Sequence, residues 1–166
     1  ATRVEVSDDG EGIELETHAE TFGRFNDSRK KEDVTTHGSH GRGRLSFHRL
    51  AERAVWWTNA AGSGPAQIEV NSAALTHYEG RSVEPSALPS GMNVGKTGTT
   101  AELFNLHAAL PTISELHKFL SVEFGWFLAL NPVKRLRLNG AEVTVPSHEL
   151  TQRKLSIDGY DFDLSV

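Results

Sequence analysis

Val6-Ser7-Asp8-Asp9-Gly10-Glu11-Gly12-Ile13, close to the start of the chain, is the stretch from which the fold can be read. Val4 and Val6 alternate with polar residues, the period of a half-buried strand. The run ends in acidic residues and two glycines one position apart, which predicts a strand entering a tight turn. Glycine tolerates positive φ and lets another backbone or a ligand come close. A carboxylate accepts hydrogen bonds and donates none, so Asp8 suits a ligand that offers an amine. The same residues also describe an ordinary surface turn, and D-x-G-x-G alone does not separate the two.

A chain of 166 residues can bury one good core and is short for two. The expected division is one domain over 1–150, with 151–166 a terminal strand or the start of a following domain. Hydrophobic residues make up 37% and charged residues 23%, ordinary for a globular protein, and no apolar run is long enough to span a bilayer. No basic-then-apolar signal peptide opens the chain, and a cytoplasmic address is the expectation. The net charge of −5 argues against a dedicated nucleic-acid or anionic-membrane surface. The absence of cysteine removes disulfides, thiolate catalysis and Cys-type zinc sites.

Beyond Ile13, Glu14 to Ser39 is polar and has no sustained period, which reads either as a functional lid or as a surface excursion. Gly38-Ser39-His40-Gly41-Arg42-Gly43 follows. Phe47, Leu50, Ala51 and Ala54 then fall at i, i+3, i+4 and i+7, predicting an amphipathic helix over 44–55. Glycines at a helix N-terminus can aim free N–H groups at phosphate, with Arg42, Arg44 and Lys30 as point charges. A flexible basic loop is the alternative. The runs 54–58, 67–71, 74–78 and 98–104 read as antiparallel strands, with the Trp56-Trp57 pair assigned to sheet packing. Thr112 and Glu115 form a capping box for a helix whose apolar face is Ile113, Leu116, Leu120, Phe124, Phe127 and Leu128, and Asn131-Pro132 ends it. Asn139-Gly140 joins a hairpin, and a further strand region lies around Asp158-Gly159. The predicted class is α+β, a two-layer sandwich with helices on one face of a mixed, mostly antiparallel sheet.

Other constellations fail. His37 and His40 lack a third ligand at helical spacing, so no metal site is assigned. There is no G-x-S-x-G elbow. Gly95-Lys96-Thr97 has Ser90 where a phosphate-binding loop needs glycine.

The order of the glycine motifs is more specific than any one of them. Asp8-Asp9-Gly10-Glu11-Gly12, a long polar segment, Gly38-Ser39-His40-Gly41-Arg42-Gly43 and Gly98-Thr99-Thr100 together resemble the GHKL superfamily of Bergerat-fold ATPases. That superfamily includes gyrase B-type topoisomerases, MutL proteins, ninety-kilodalton heat-shock chaperones and MORC-type ATPases. The resemblance covers the chain from the first strand to the Asn139-Gly140 hairpin. It implies an ATP-binding domain in which Asp8 accepts from the adenine amino group and Gly10 and Gly12 shape the adenine pocket. It further implies that Gly38, His40, Gly41, Arg42 and Gly43 cradle the triphosphate, with Thr99 completing the adenine-side network. Lys30 and Ser28 would be lid contacts. Mg²⁺ is the implied second cofactor. Its asparagine ligand and the glutamate general base belong to a helix preceding the first motif, expected upstream of Ala1. The implied activity is a nucleotide-driven conformational switch, with hydrolysis by the full-length protein and dimerisation biased by a closed lid, acting on a client or partner domain the sequence does not name. The alternative is a non-catalytic interaction module that keeps the fold without hydrolysis.

Overall fold

The computed structural model describes residues 3–23, 43–93, 95–144, 152–157 and 160–165. Contacts divide the chain into two units, Ala1–Leu110 and Pro111–Val166. The first is built on β1 (Arg3–Asp8), β2 (Ala51–Ala60), β3 (Gly64–Asn71), β4 (Tyr78–Ser82) and β5 (Gly98–Leu106). They hydrogen-bond in the order β1-β5-β2-β3-β4. Every neighbouring pair is antiparallel, so the sheet is not mixed as expected.

Register assigns the two faces. Val4, Val6 and Asp8 lie abreast of Leu103, Ala101 and Thr99, which lie abreast of Ala54, Trp56 and Thr58. Ile68 and Val70 continue this face into β3. A short helix α1 (His18–Gly23) and a 3-10 helix (Gly43–Arg49) cover it. Phe22 and Phe47 are buried there, each meeting the Trp56 ring edge to face, with centroids 5.0 and 5.6 Å away. The two helices therefore lie on one face of the sheet. The opposite face carries charge that is paired in place. Glu102, although buried, receives Arg3 at 2.8 Å and the Trp57 indole N–H at 2.7 Å, and Arg53 stacks 4.4 Å over the Phe104 ring.

Two further sequence-based expectations are corrected. The segment 44–55 is not an amphipathic helix; a 3-10 helix ends at Arg49 and β2 begins at Ala51. Strand β2 lies between β5 and β3 and is largely buried on both faces, so its apolar residues lose the alternation that marks a strand. The segment 74–78 is not a strand. Asn71 caps a 3-10 turn over Ser72–Ala74 by accepting from the Ala73 N–H at 3.0 Å, and the strand starts at Tyr78. The aperiodic stretch after Ile13 includes α1, docked through Phe22 and through a Tyr78 hydroxyl that donates to the Ala19 carbonyl at 3.2 Å.

In the second unit, α2 (Ile113–Leu130) has the expected capping box. The Glu115 N–H donates to Thr112 Oγ1 at 3.2 Å, and the Thr112 N–H donates to Glu115 Oε2 at 2.9 Å. Asn131 ends the helix, its amide group and its backbone N–H both donating to the Phe127 carbonyl. Leu116, Leu120, Phe124, Phe127 and Leu128 are partly buried, while Ile113 is exposed. Phe119, Val122, Trp126 and Leu130 form a second, exposed apolar stripe. The Asn139-Gly140 hairpin is short, with β6 (Arg137–Leu138) paired to β7 (Ala141–Glu142), and its turn residues both have positive φ, 49° and 82°. β8 (Gln152–Ile157) pairs with β9 (Tyr160–Ser165). Among the described residues no helix is long and apolar enough to cross a membrane.

Candidate functional site

Asp8 and Thr99, separated by most of the first unit's sequence, are direct register partners on β1 and β5. Thr58 is the partner of Thr99 on β2. Three polar side chains therefore stand in one row across three adjacent strands, at the end of an otherwise apolar face. The row continues into an uncovered part of the sheet: Val6, next to Asp8 on the same face, is 61% exposed.

The turn after β1 is shaped around the Asp8 carboxylate. The Gly10 N–H donates to Asp8 Oδ1 at 2.9 Å, which orients the carboxylate, and the second oxygen has no partner among the described residues. A Cβ on Gly10 would sit 2.9 Å from that Oδ1. Gly12 has φ +78° and lies so close to β2 that a Cβ would fall 2.4 Å from the Asn59 carbonyl oxygen. Gly98, at the start of β5 with φ +152°, would place a Cβ 2.4 Å from the Asp8 carbonyl oxygen. At Gly12 and Gly98 the fold demands glycine for conformation and for space together.

Two residues not singled out in the sequence hold these loops. The Ile13 N–H donates to the buried Thr58 hydroxyl at 2.6 Å. The Asn59 side-chain amide donates to the Lys96 carbonyl at 2.8 Å, two residues before Gly98. Their only sequence signal is a Thr-Asn pair closing an apolar strand, which by itself is commonplace.

Asp8, Gly10, Gly12 and Thr99 are thus brought together. Gly43 opens the 3-10 helix and not the expected longer α-helix, so less helix dipole is available beside it. Lys30, Gly38, His40, Gly41 and Arg42, with Ser28, lie outside the described residues. No group of three His, Asp or Glu side chains among the described residues could hold a metal ion. No protein-family model matches the chain, and no curated protein matches it.

Chemically, the site offers an oriented carboxylate acceptor, the Thr99 hydroxyl and an apolar floor along Val6 and Ala101. Thr99 is only 8% exposed, and its hydroxyl has no partner among the described residues. A flat heterocycle with an exocyclic amine matches that set: donor to Asp8, ring over Val6, acceptor or donor to Thr99.

Proposed function

We propose that this chain is an ATP-binding domain of the GHKL type, a Bergerat fold in which Asp8 receives the adenine amino group. The observation that carries the reading is the Asp8–Thr99 register across β1 and β5, where a carboxylate oxygen and a hydroxyl both lack partners among the described residues. The glycines that pack the turn and the start of β5 against neighbouring backbone support it, because the D-x-G-x-G and G-T-T elements of the resemblance meet at one place.

Within the proposal, this chain binds and orients the nucleotide base. Asp8 fixes the base edge, Thr99 the adjacent ring position, and the glycine turn keeps side chains out of the ring plane. Hydrolysis would rest on the preceding helix's glutamate and asparagine, the latter with Mg²⁺, and the described residues provide no ligand set for that ion. The switch and its dimerisation belong to the same proposal.

Titration calorimetry with Mg·ATP and a non-hydrolysable analogue, on the parent and on Asp8→Asn, tests it. The substituted asparagine keeps an acceptor for the Gly10 N–H, so the turn survives, but it turns an NH₂ donor toward the ligand's amine. Losing a hydrogen bond to a charged acceptor costs about 1.5–3 kcal/mol, a roughly 10- to 150-fold rise in Kd. A parent that binds neither nucleotide, or an Asp8→Asn chain that binds as the parent does, refutes the assignment.

A further inference from the structure

We infer that Thr58 and Asn59, at the end of β2, are positioning residues for the nucleotide: they clasp the two loops that form the site while the base contacts come from β1 and β5. This inference rests on the ATP-binding reading. Strand β2 has neighbours on both sides, so its end is among the most firmly held points of the sheet, and Thr58 is fully buried there. Its hydroxyl reaches Ile13 twice, accepting from the N–H at 2.6 Å and donating toward the carbonyl at 3.4 Å. Asn59 works in the other direction. Its carbonyl is the surface against which Gly12 packs, and its side chain holds the Lys96 carbonyl at 2.8 Å.

The turn carrying Asp8 and Gly10 is therefore tied to β2 on one side of the site, and the loop leading to Gly98 and Thr99 is tied to β2 on the other. Without the clasp, Asp8 and Thr99 would still be in register, but the loops flanking them would be free to move relative to each other. A ligand that touches both would then have to order them at the cost of affinity. Thr58 and Asn59 act through the turn and the loop.

The experiment compares Thr58→Val, Thr58→Ser and Asn59→Asp with the parent. Mg·ATP affinity is read by calorimetry and the Ile13 amide by hydrogen exchange without nucleotide. Valine matches threonine in shape but cannot accept from the Ile13 N–H; serine can. Aspartate keeps the shape of Asn59 but cannot donate to the Lys96 carbonyl. The expected result is at least tenfold weaker binding and at least tenfold faster Ile13 exchange in Thr58→Val, both restored to within about threefold by Thr58→Ser, and weaker binding in Asn59→Asp with Ile13 exchange unchanged. Parent-like binding in Thr58→Val, or equal loss in the Ser and Val variants, overturns the inference. If Thr58→Val does not fold, Thr58→Ser and Asn59→Asp decide: parent-like affinity in Asn59→Asp overturns it. A parent that does not bind Mg·ATP overturns the ATP reading and, with it, the nucleotide role of the clasp; Ile13 exchange still tells whether the clasp itself exists.

Discussion

Gly12 and Gly62 provide a matched pair for separating two costs that usually come together. Both have left-handed φ, +78° and +87°, so alanine pays the same conformational penalty at each, about 1–2 kcal/mol. Around Gly62 a Cβ meets nothing within 4 Å. At Gly12 it meets the Asn59 carbonyl oxygen at 2.4 Å, the Asn59 carbonyl carbon at 2.8 Å and the Ala60 Cα at 3.0 Å. All three are backbone atoms of β2, which has strand neighbours on both sides and cannot swing aside. The turn must lift, and the shortest bond that opposes lifting is Ile13 N–H to Thr58 Oγ1 at 2.6 Å. Overpacking costs about 1–3 kcal/mol, and stretching that bond adds up to a similar amount. Gly12→Ala should therefore lose at least about 1 kcal/mol more than Gly62→Ala, a difference attributable to space alone. Equilibrium urea denaturation of both variants, at unchanged m, measures it. If the two lie within about 0.5 kcal/mol of each other, the close approach of the turn to β2 is wrong.

Gly98→Ala should loosen β1 from β5, since its Cβ would push on the Asp8 carbonyl; a loss of about 2 kcal/mol with faster amide exchange along β1 is expected, and unchanged exchange there refutes it. The exposed Glu115 carboxyl is held below its ordinary value of 4.5 by the Thr112 hydroxyl and then by the Thr112 N–H. A depressed folded-state value means that the cap stabilises α2 fully above about pH 4.5 and that this contribution is lost as pH falls through the lowered value. An NMR titration of Glu115 should show its midpoint moving up in Thr112→Ala, and no movement refutes the assignment of cause.

How much of this could be read in the sequence depends on what kind of information each feature needs. The capping box of α2 and the Asn139-Gly140 turn are local chemistry between residues a few positions apart, and they were legible. The start of β2 was not. Ala51 and Ala54 fit helical spacing, and only pairing with β5 and β3 makes them strand residues buried in a central position. The site divides similarly. Asp8 and the turn glycines announce themselves by type and spacing, whereas Thr58 and Asn59 are ordinary strand residues until the fold delivers Ile13 and Lys96 to them. Asp8 and Thr99 lie between these cases: the resemblance implied that they serve one side of the site, and strand register makes them direct partners.

The order of strands has a bearing on how the molecule assembles. β1 is the edge strand that carries Asp8, and among the described residues its sole neighbour in the sheet is β5. The Ser7–Thr100 hydroxyl contact closes a loop of 93 residues. Closing such a loop costs on the order of 4 kcal/mol in chain entropy, which the ladder, that contact and the Arg3–Glu102 ion pair must offset. β2, β3 and β4 can form hairpins early, but β1 waits until the chain has been made through β5 and folded back. The strand that brings the acidic half of the site is thus held by the longest-range pairing in the sheet. Any ligand that spans Asp8 and Thr99 bridges that seam and acts as a clip across it, so occupancy and the completeness of the sheet become one equilibrium.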